Sequence, residues 1–109
     1  MIDVITHMNI CCLYPRYFEA IKNGEKHIEY RFRKKYDPRL DAIEPGEYIV
    51  FLECGSKRAI GCQIIATERV HHMGHRIEYR LHLSRNRKLM VNSELPHLQG
   101  FRRIQTNKS

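Results

Sequence analysis

The chain has 109 residues, a hydrophobic content of 42% and a net charge of +7, which gives room for one basic domain with a single core. No apolar stretch reaches the roughly 18–20 residues of a membrane-spanning helix, and the first residues lack the basic and apolar regions of a secretory signal. We therefore expect one cytoplasmic domain over residues 1–109, with residues 105–109 frayed and no association with a membrane.

A strand and a helix are the first predicted elements. Residues 8–13 form a short apolar run that predicts a buried strand. Pro15 suits the first turn of a helix, and the apolar residues that follow it recur at helical spacing. Gly24 supplies the helix stop, so the helix is predicted from Pro15 to about Asn23.

The next segment, residues 26–33, alternates with a period of two, which predicts a strand with one buried and one wet face. The apolar face is expected to point to the core and consists of Ile28, Tyr30 and Phe32. The charged face is expected to point to solvent and consists of His27, Glu29, Arg31 and Arg33.

The middle of the chain predicts two neighbouring strands. A charged loop over residues 34–41 leads to a turn at Pro45–Gly46, the order of residues that a type II turn prefers. Residues 47–54 are nearly continuously apolar and predict a deeply buried strand. Residues 59–66 predict its partner, in which Gly61 indicates a bulge or a close backbone approach.

The last third of the chain predicts that the sheet continues. Residues 67–73 are expected to carry the preceding strand around a bend, and residues 76–83 to form another strand. Four apolar side chains share one face of that strand: Ile77, Tyr79, Leu81 and Leu83. Residues 84–98 are expected to form a loop or a short helix, and residues 99–105 a final strand. The fold class is therefore α+β, mainly β: a small closed or nearly closed barrel of five or six strands, with one early helix at its rim.

The cysteines and histidines do not predict a metal site. The cysteines lack the paired C-x-x-C spacing of structural zinc sites and are expected to be free, partly buried thiols: Cys11, Cys12, Cys54 and Cys62. Three clustered histidines lack a neighbouring carboxylate or cysteine that would complete a ligand set: His71, His72 and His75. We expect no metal and no cofactor.

The run from Gly24 to Arg31 is the candidate functional site. Gly24 allows a tight turn from the helix into the strand, and Lys26 begins that strand at the rim. Glu29 and Arg31 are two residues apart, so their charged groups share a strand face and can pair or hold a ligand between them. Such a group could bind a nucleobase edge, a phosphate or a small amide. The alternative is an ion-pair ladder on an exposed strand.

Residues 17–31, YFEAIKNGEKHIEYR, resemble the signature of ASCH domains with its G-x-K-x-x-E-x-R core. Residues 45–51 resemble the turn and strand that follow in that family, and residues 59–61 its next strand. The resemblance covers about residues 8–70. It implies a PUA-like β-barrel with a cleft beside the early helix, and a role in RNA binding or as a transcription cofactor.

The resemblance also raises the question of catalysis, because one ASCH branch hydrolyses N4-acetylcytidine and another cleaves RNA. The amidohydrolase branch has a threonine nucleophile where this chain has Glu29, although its lysine matches Lys26. A carboxylate cannot simply replace the hydroxyl, because the acyl product would be an anhydride. Amide hydrolysis of that kind is therefore not expected here.

Three hypotheses use this one cleft. The first is a module for RNA or single-stranded nucleic acid, in which basic residues contact phosphates and Tyr14, Tyr30 or Tyr36 stacks on a base, with Tyr14 better placed than Tyr30. The predicted binding residues are Tyr14, Arg16, Lys26, Glu29, Arg31, Arg33, Lys34 and Lys35. The second is a metal-independent hydrolase acting on RNA or a nucleoside-like small molecule, with Lys26 and Glu29 as catalytic groups. The third is a protein-interaction module, which the positive charge favours less than nucleic acid.

Overall fold

A computed structural model describes residues 4–90 and 100–108 and shows one six-stranded sheet with two helices in these ranges. The strands are β1 (Val4–Leu13), β2 (Ile28–Arg33), β3 (Tyr48–Glu53), β4 (Ala59–His71), β5 (Ile77–Met90) and β6 (Phe101–Lys108). The helices are α1 (Pro15–Lys22) and the one-turn α2 (Pro38–Asp41), and a 3-10 turn spans Met73–His75. The prediction of a mainly β fold with few helices is confirmed.

The sheet has the strand order β2–β5–β4–β3–β1–β6 and curls into a half-barrel with β2 and β6 at its ends. β1 and β3 run parallel, and the other neighbouring strands run antiparallel. The register between β4 and β5 shifts on both sides of Ile64, and such bulges bend a strand pair. The closed or nearly closed barrel expected from the sequence is thus a half-barrel in the described residues, and β4 continues through residues 67–71, as predicted.

Local signals explain most of the element boundaries. α1 begins at Pro15 and ends at Lys22, with Asn23 as its C-cap, as predicted. At the turn before β3, Gly46 has a φ of 101° and the Glu47 amide donates to the Glu44 carbonyl over 3.2 Å, which is the type II geometry.

Two expectations about the end of the chain change. Residues 84–90 are part of β5 and pair with β4, so the prediction of a loop or helix is wrong there; residues 91–99 lie outside the described residues. Residues 105–108 belong to β6 and pair with residues 4–7 of β1, where the sequence indicated a frayed end. In both cases the hydrogen bonds come from a strand that is distant along the chain, so the local sequence pattern does not predict them.

The main core lies between one face of the sheet and α1. Phe18 and Ile21 of α1 are fully buried there, against residues such as Phe51 and Ile60 of the sheet. The four apolar side chains predicted to share a face of β5 are all buried in this core: Ile77, Tyr79, Leu81 and Leu83. The anchored helix holds its first turn beside the end of β1, where the candidate site lies.

Candidate functional site

The turn out of α1 fixes the position of Lys26. Gly24 has a φ of 80°, a left-handed conformation that glycine adopts without strain. The amides of Glu25 and Lys26 then both donate to the Ala20 carbonyl, over 2.9 and 3.0 Å. On the other side, the Leu83 amide donates to the His27 carbonyl over 2.8 Å. Lys26 is therefore held between the end of α1 and the start of the β2–β5 pair.

The two faces of β2 are reversed relative to the prediction. Glu29 is only 3% exposed and the Arg31 side chain 17% exposed, whereas Tyr30 and Phe32 are 42% and 45% exposed. The prediction that Tyr30 and Phe32 face the core, and that Glu29 and Arg31 face solvent, is therefore wrong. The physical reason is that Glu29 is buried together with cationic partners, which compensate its charge. Ile28 is half-buried.

Lys26, Glu29 and Arg31 form a compact ionic cluster, which we call the KER cluster. Lys26 Nζ lies 3.2 Å from Glu29 Oε1, and Arg31 Nε lies 2.9 Å from Glu29 Oε2. Neither contact has the alignment of a hydrogen bond, and Glu29 Oε1, Arg31 Nε and Arg31 Nη2 have no hydrogen-bond partner among the described residues. Buried polar atoms without partners cost free energy, so a polar ligand or water that met them would be stabilised.

A cavity of about 320 Å³ opens over the KER cluster. This volume lies at the small end of the range for ligand pockets. Its lining combines the cluster with three tyrosines, a thiol and a leucine: Cys12, Leu13, Tyr14, Tyr17, Lys26, Glu29, Tyr30 and Arg31. Lys26 Nζ lies 5.3 Å from the ring centroid of Tyr17 and 5.6 Å from that of Tyr30, within cation–π range of both. With two cations and one carboxylate, the cavity favours a planar ligand that offers hydrogen-bond acceptors and a donor.

The predicted site residues divide into two groups. Tyr14, Lys26, Glu29 and Arg31 meet at the cavity. Arg16 lies beside it, stacked on Tyr17 with its guanidinium carbon 4.7 Å from the ring centroid. The remaining three do not line the cavity: Arg33 is bound to Asp37, and Lys34 and Lys35 are exposed after the end of β2.

No protein-family model matches this chain, and no curated protein matches it. No helix in the described ranges is long and apolar enough to cross a membrane. Within those same ranges, no three His, Cys, Asp or Glu side chains are grouped so that they could hold a metal ion.

Arg87 is a site residue that the sequence did not reveal. Its Nη2 donates to the Lys26 carbonyl over 3.1 Å and lies 2.8 Å from His27 Nδ1. The guanidinium thus ties the Lys26 segment to β5. The available signal was weak: no glycine or proline interrupts the chain between Ile77 and Pro96, which is compatible with one long strand. Tyr17 carries no signal beyond its place among the apolar residues of the predicted helix, and Cys12 none beyond the expected burial of a thiol.

A thiol of the cavity wall, Cys12, contacts a second thiol. Cys12 Sγ is 2.8 Å from Cys54 Sγ, and both are free. Burial, together with the hydrogen bond to Cys54, raises the pKa of the Cys12 thiol to about 11. Cys11 lies next to Arg31, and burial raises its pKa to about 12 even though Arg31 acts in the opposite direction. Cys11 and Cys12 are therefore neutral at physiological pH and are poor nucleophiles.

Arg33 has a structural partner that explains its absence from the cavity. Asp37 caps α2 and accepts hydrogen bonds from Arg33 Nε, over 3.0 Å, and from Arg39. Burial raises the pKa of Asp37, but the hydrogen bonds from Arg39 and Arg33 outweigh burial and hold that pKa at about 2 instead of 3.8.

This network predicts a loss of stability in acid. A depressed carboxyl pKa stabilises the fold above the unfolded-state pKa, and the contribution, about 2 kcal/mol, disappears as the pH falls from about 4 to about 2. Across that interval we expect the free energy of unfolding to fall by about 2 kcal/mol more in the wild type than in Asp37→Asn. Urea unfolding at each pH measures the free energy of unfolding of both proteins. If the two free energies fall in parallel as the pH is lowered, Asp37 does not cause the loss of stability in acid.

Proposed function

We propose that the protein is a module that binds RNA or single-stranded nucleic acid, with an unpaired base in the cavity over the KER cluster. One observation carries the proposal: the buried pair of Glu29 and Arg31, which keeps hydrogen-bonding capacity that no described residue uses, lines a cavity walled by tyrosines. A nucleobase offers flat faces for stacking and a polar edge, which are the features complementary to such a cavity. Lys26 and the neighbouring Arg16 supply positive charge for the flanking phosphates.

The family resemblance supports the same proposal. The four defining positions of the ASCH-like core, Gly24, Lys26, Glu29 and Arg31, are the residues that make the turn and the KER cluster. A curled, mainly β sheet with a helix beside the cavity is compatible with a PUA-like barrel. We therefore propose that the chain is a PUA-like domain of the ASCH type, which uses this cleft as its nucleic-acid site.

A metal-independent hydrolase is the second candidate, favoured by the 3.2 Å contact between Lys26 and Glu29 inside the cavity. Proton transfer during RNA cleavage requires an acid and a base that both reach the substrate. The neutral Cys12 thiol offers no ready nucleophile. Incubation of labelled RNA with nuclease-free wild type and with Lys26→Gln separates the candidates, because only an enzyme yields products that the variant fails to make.

Binding is tested by fluorescence anisotropy with a labelled single-stranded RNA. We expect micromolar affinity that weakens about ten-fold between about 50 and 200 mM salt, as for a ligand with two or three neutralised phosphates. Lys26→Gln removes one charge at the cavity and should weaken binding by about ten-fold.

Arg102→Gln is the matched control. Arg102 is exposed on β6, at the opposite end of the sheet from β2, so its loss changes the net charge equally without touching the cavity. We expect Arg102→Gln to bind as the wild type does. Equal weakening by both variants would indicate unspecific attraction by net charge, and affinity that is independent of salt would contradict a phosphate-binding site.

A further inference from the structure

The outer side of β2 carries aromatic and arginine side chains that the cavity does not account for. Tyr30 and Phe32 are exposed on this side, and β5 with the residue before it contributes Arg80 and Arg76. The Arg76 guanidinium carbon lies 4.9 Å from the ring centroid of Phe32, and that of Arg80 lies 6.0 Å from the ring centroid of Tyr30. We call these four residues the outer platform.

The charge of the outer platform suits a polyanion. Arg76 forms no ion pair with any described residue, and Lys34 and Lys35 follow Phe32 directly along the chain. Two carboxylates share this face. Glu78 is only 6% exposed and is paired with Arg80 and His72, and Glu68 is paired with His82. Arg80 thus compensates the charge of Glu78, and Glu68 is hydrogen-bonded to His82, while Arg76 and the two lysines remain available to phosphates.

The outer platform is continuous with the cavity. Tyr30 belongs to both, because it lines the cavity and also neighbours two residues of the outer platform. Arg80 lies opposite Tyr30 on β5, and Phe32 lies two residues further along β2. Side chains two residues apart on a strand are roughly 7 Å apart along it. Aromatic side chains presented in this way by a strand stack on successive unpaired bases in RNA-binding sheets, and guanidinium planes stack on bases as well.

We propose that the outer platform binds the nucleotides adjacent to the one in the cavity, so that a single strand of RNA follows β2 from Lys26 toward Lys35. Tyr30 separates the base in the cavity from the next one, Phe32 stacks with that neighbour, and Arg76 and the two lysines contact the phosphates. This inference rests on the proposed function and extends it from one nucleotide to a track of several.

The test compares two labelled RNA ligands, a mononucleotide and an octanucleotide, in anisotropy titrations of the full chain. Phe32→Leu keeps an apolar side chain at an exposed position and removes the ring. We expect it to weaken octanucleotide binding about ten-fold, the loss of one base–aromatic stack, and to leave mononucleotide binding unchanged. Arg76→Gln removes one phosphate contact. The plot of the logarithm of the affinity against the logarithm of the salt concentration should therefore become less steep, by about 0.7.

Tyr48→Leu is the control variant, because Tyr48 is an exposed aromatic residue on β3 that pairs with Met8, four residues before Cys12 of the cavity. It should bind both RNAs as the wild type does. Full octanucleotide affinity in Phe32→Leu, with weakened binding in Lys26→Gln, would overturn the outer platform and keep the cavity site. Equal loss for both RNAs in Phe32→Leu would also overturn it, since the ring would then act on the cavity. Wild type that binds neither RNA would overturn the proposed function itself.

Discussion

Replacement of Glu29 by alanine is expected to lower the free energy of unfolding by about 3–5 kcal/mol, as when one partner of a buried ion pair is removed. The Glu29 side chain is 4% exposed and lies within 3.2 Å of Lys26 Nζ and 2.9 Å of Arg31 Nε. Its loss leaves the largely buried Arg31 without a compensating charge. Urea unfolding followed by circular dichroism measures the change at neutral pH.

A double variant distinguishes charge from packing. Glu29→Leu with Arg31→Met removes both charges and keeps most of the volume, so its stability should return to within about 1–2 kcal/mol of the wild type. Because the double variant lacks the acceptor and donor of the KER cluster, it should not bind RNA even though it is folded. If Glu29→Ala alone unfolds within about 1 kcal/mol of the wild type, Glu29 is solvated in the folded protein and the KER cluster is not a buried ion pair.

Replacement of Arg103 by methionine should produce a loss of stability of similar size, about 3–5 kcal/mol, at a network that does not line the cavity. The Arg103 side chain is 10% exposed, pairs with Glu47, and donates from Nη1 to Asn9 Oδ1 over 3.0 Å. Asn9 is fully buried in β1 and donates in turn to Glu47. Burial raises the pKa of Glu47, but the hydrogen bonds from Arg103 and Asn9 outweigh burial and lower it. The network is therefore intact at neutral pH and loses stability as the pH falls through the depressed pKa of Glu47.

The Arg103→Met variant also separates stability from function. Below its unfolding temperature the variant should bind RNA as the wild type does, because no residue of this network lines the cavity. The cavity residue Cys12 lies three residues beyond Asn9 along β1. Arg102→Met, at the exposed neighbouring position, is the control and should change the stability by less than about 0.5 kcal/mol. An Arg103→Met protein as stable as this control would mean that the network contributes nothing to the fold.

The sequence predicted those elements whose signals are local. Pro15 and Gly24 delimit α1 because one fits the first turn of a helix and the other allows the left-handed turn that ends it. The alternation from Ile77 to Leu83 assigned the buried face of β5 correctly because all its large apolar side chains share that face. In both segments, hydrophobicity and geometry lead to the same answer.

Hydrophobic alternation predicts the wrong buried face for β2, and the reason is physical. A period of two shows that residues 28–33 have two different faces but does not show which face is buried, and hydrophobicity alone favours the face with Tyr30 and Phe32. Glu29 and Arg31 are buried because they compensate each other, while Tyr30 is exposed and lies near the cations Lys26 and Arg80. The pairing of Glu29 with Lys26 and Arg31 at the cavity is a property of the tertiary structure. The hydrophobic pattern along β2 therefore does not predict it.

The rest of the candidate site depends on contacts between distant parts of the chain. Arg87 reaches the Lys26 carbonyl only because residues 84–90 extend β5 along β4. Cys12 and Tyr17 enter the cavity because β1 and α1 are packed beside the edge strand β2. Single-residue and spacing arguments located the KER cluster, while the walls around it required the fold.

An NMR titration tests most directly whether nucleic acid binds in the cavity over the KER cluster. Isotope-labelled protein is titrated with a short single-stranded RNA, and the shifts of the backbone amide signals are followed. We expect the largest shifts at residues 26–31 and at Tyr14 and Tyr17, with smaller shifts along β2 to Phe32. Shifts confined to β3 and β6, with none at Lys26, Glu29 or Arg31, would contradict binding in this cavity.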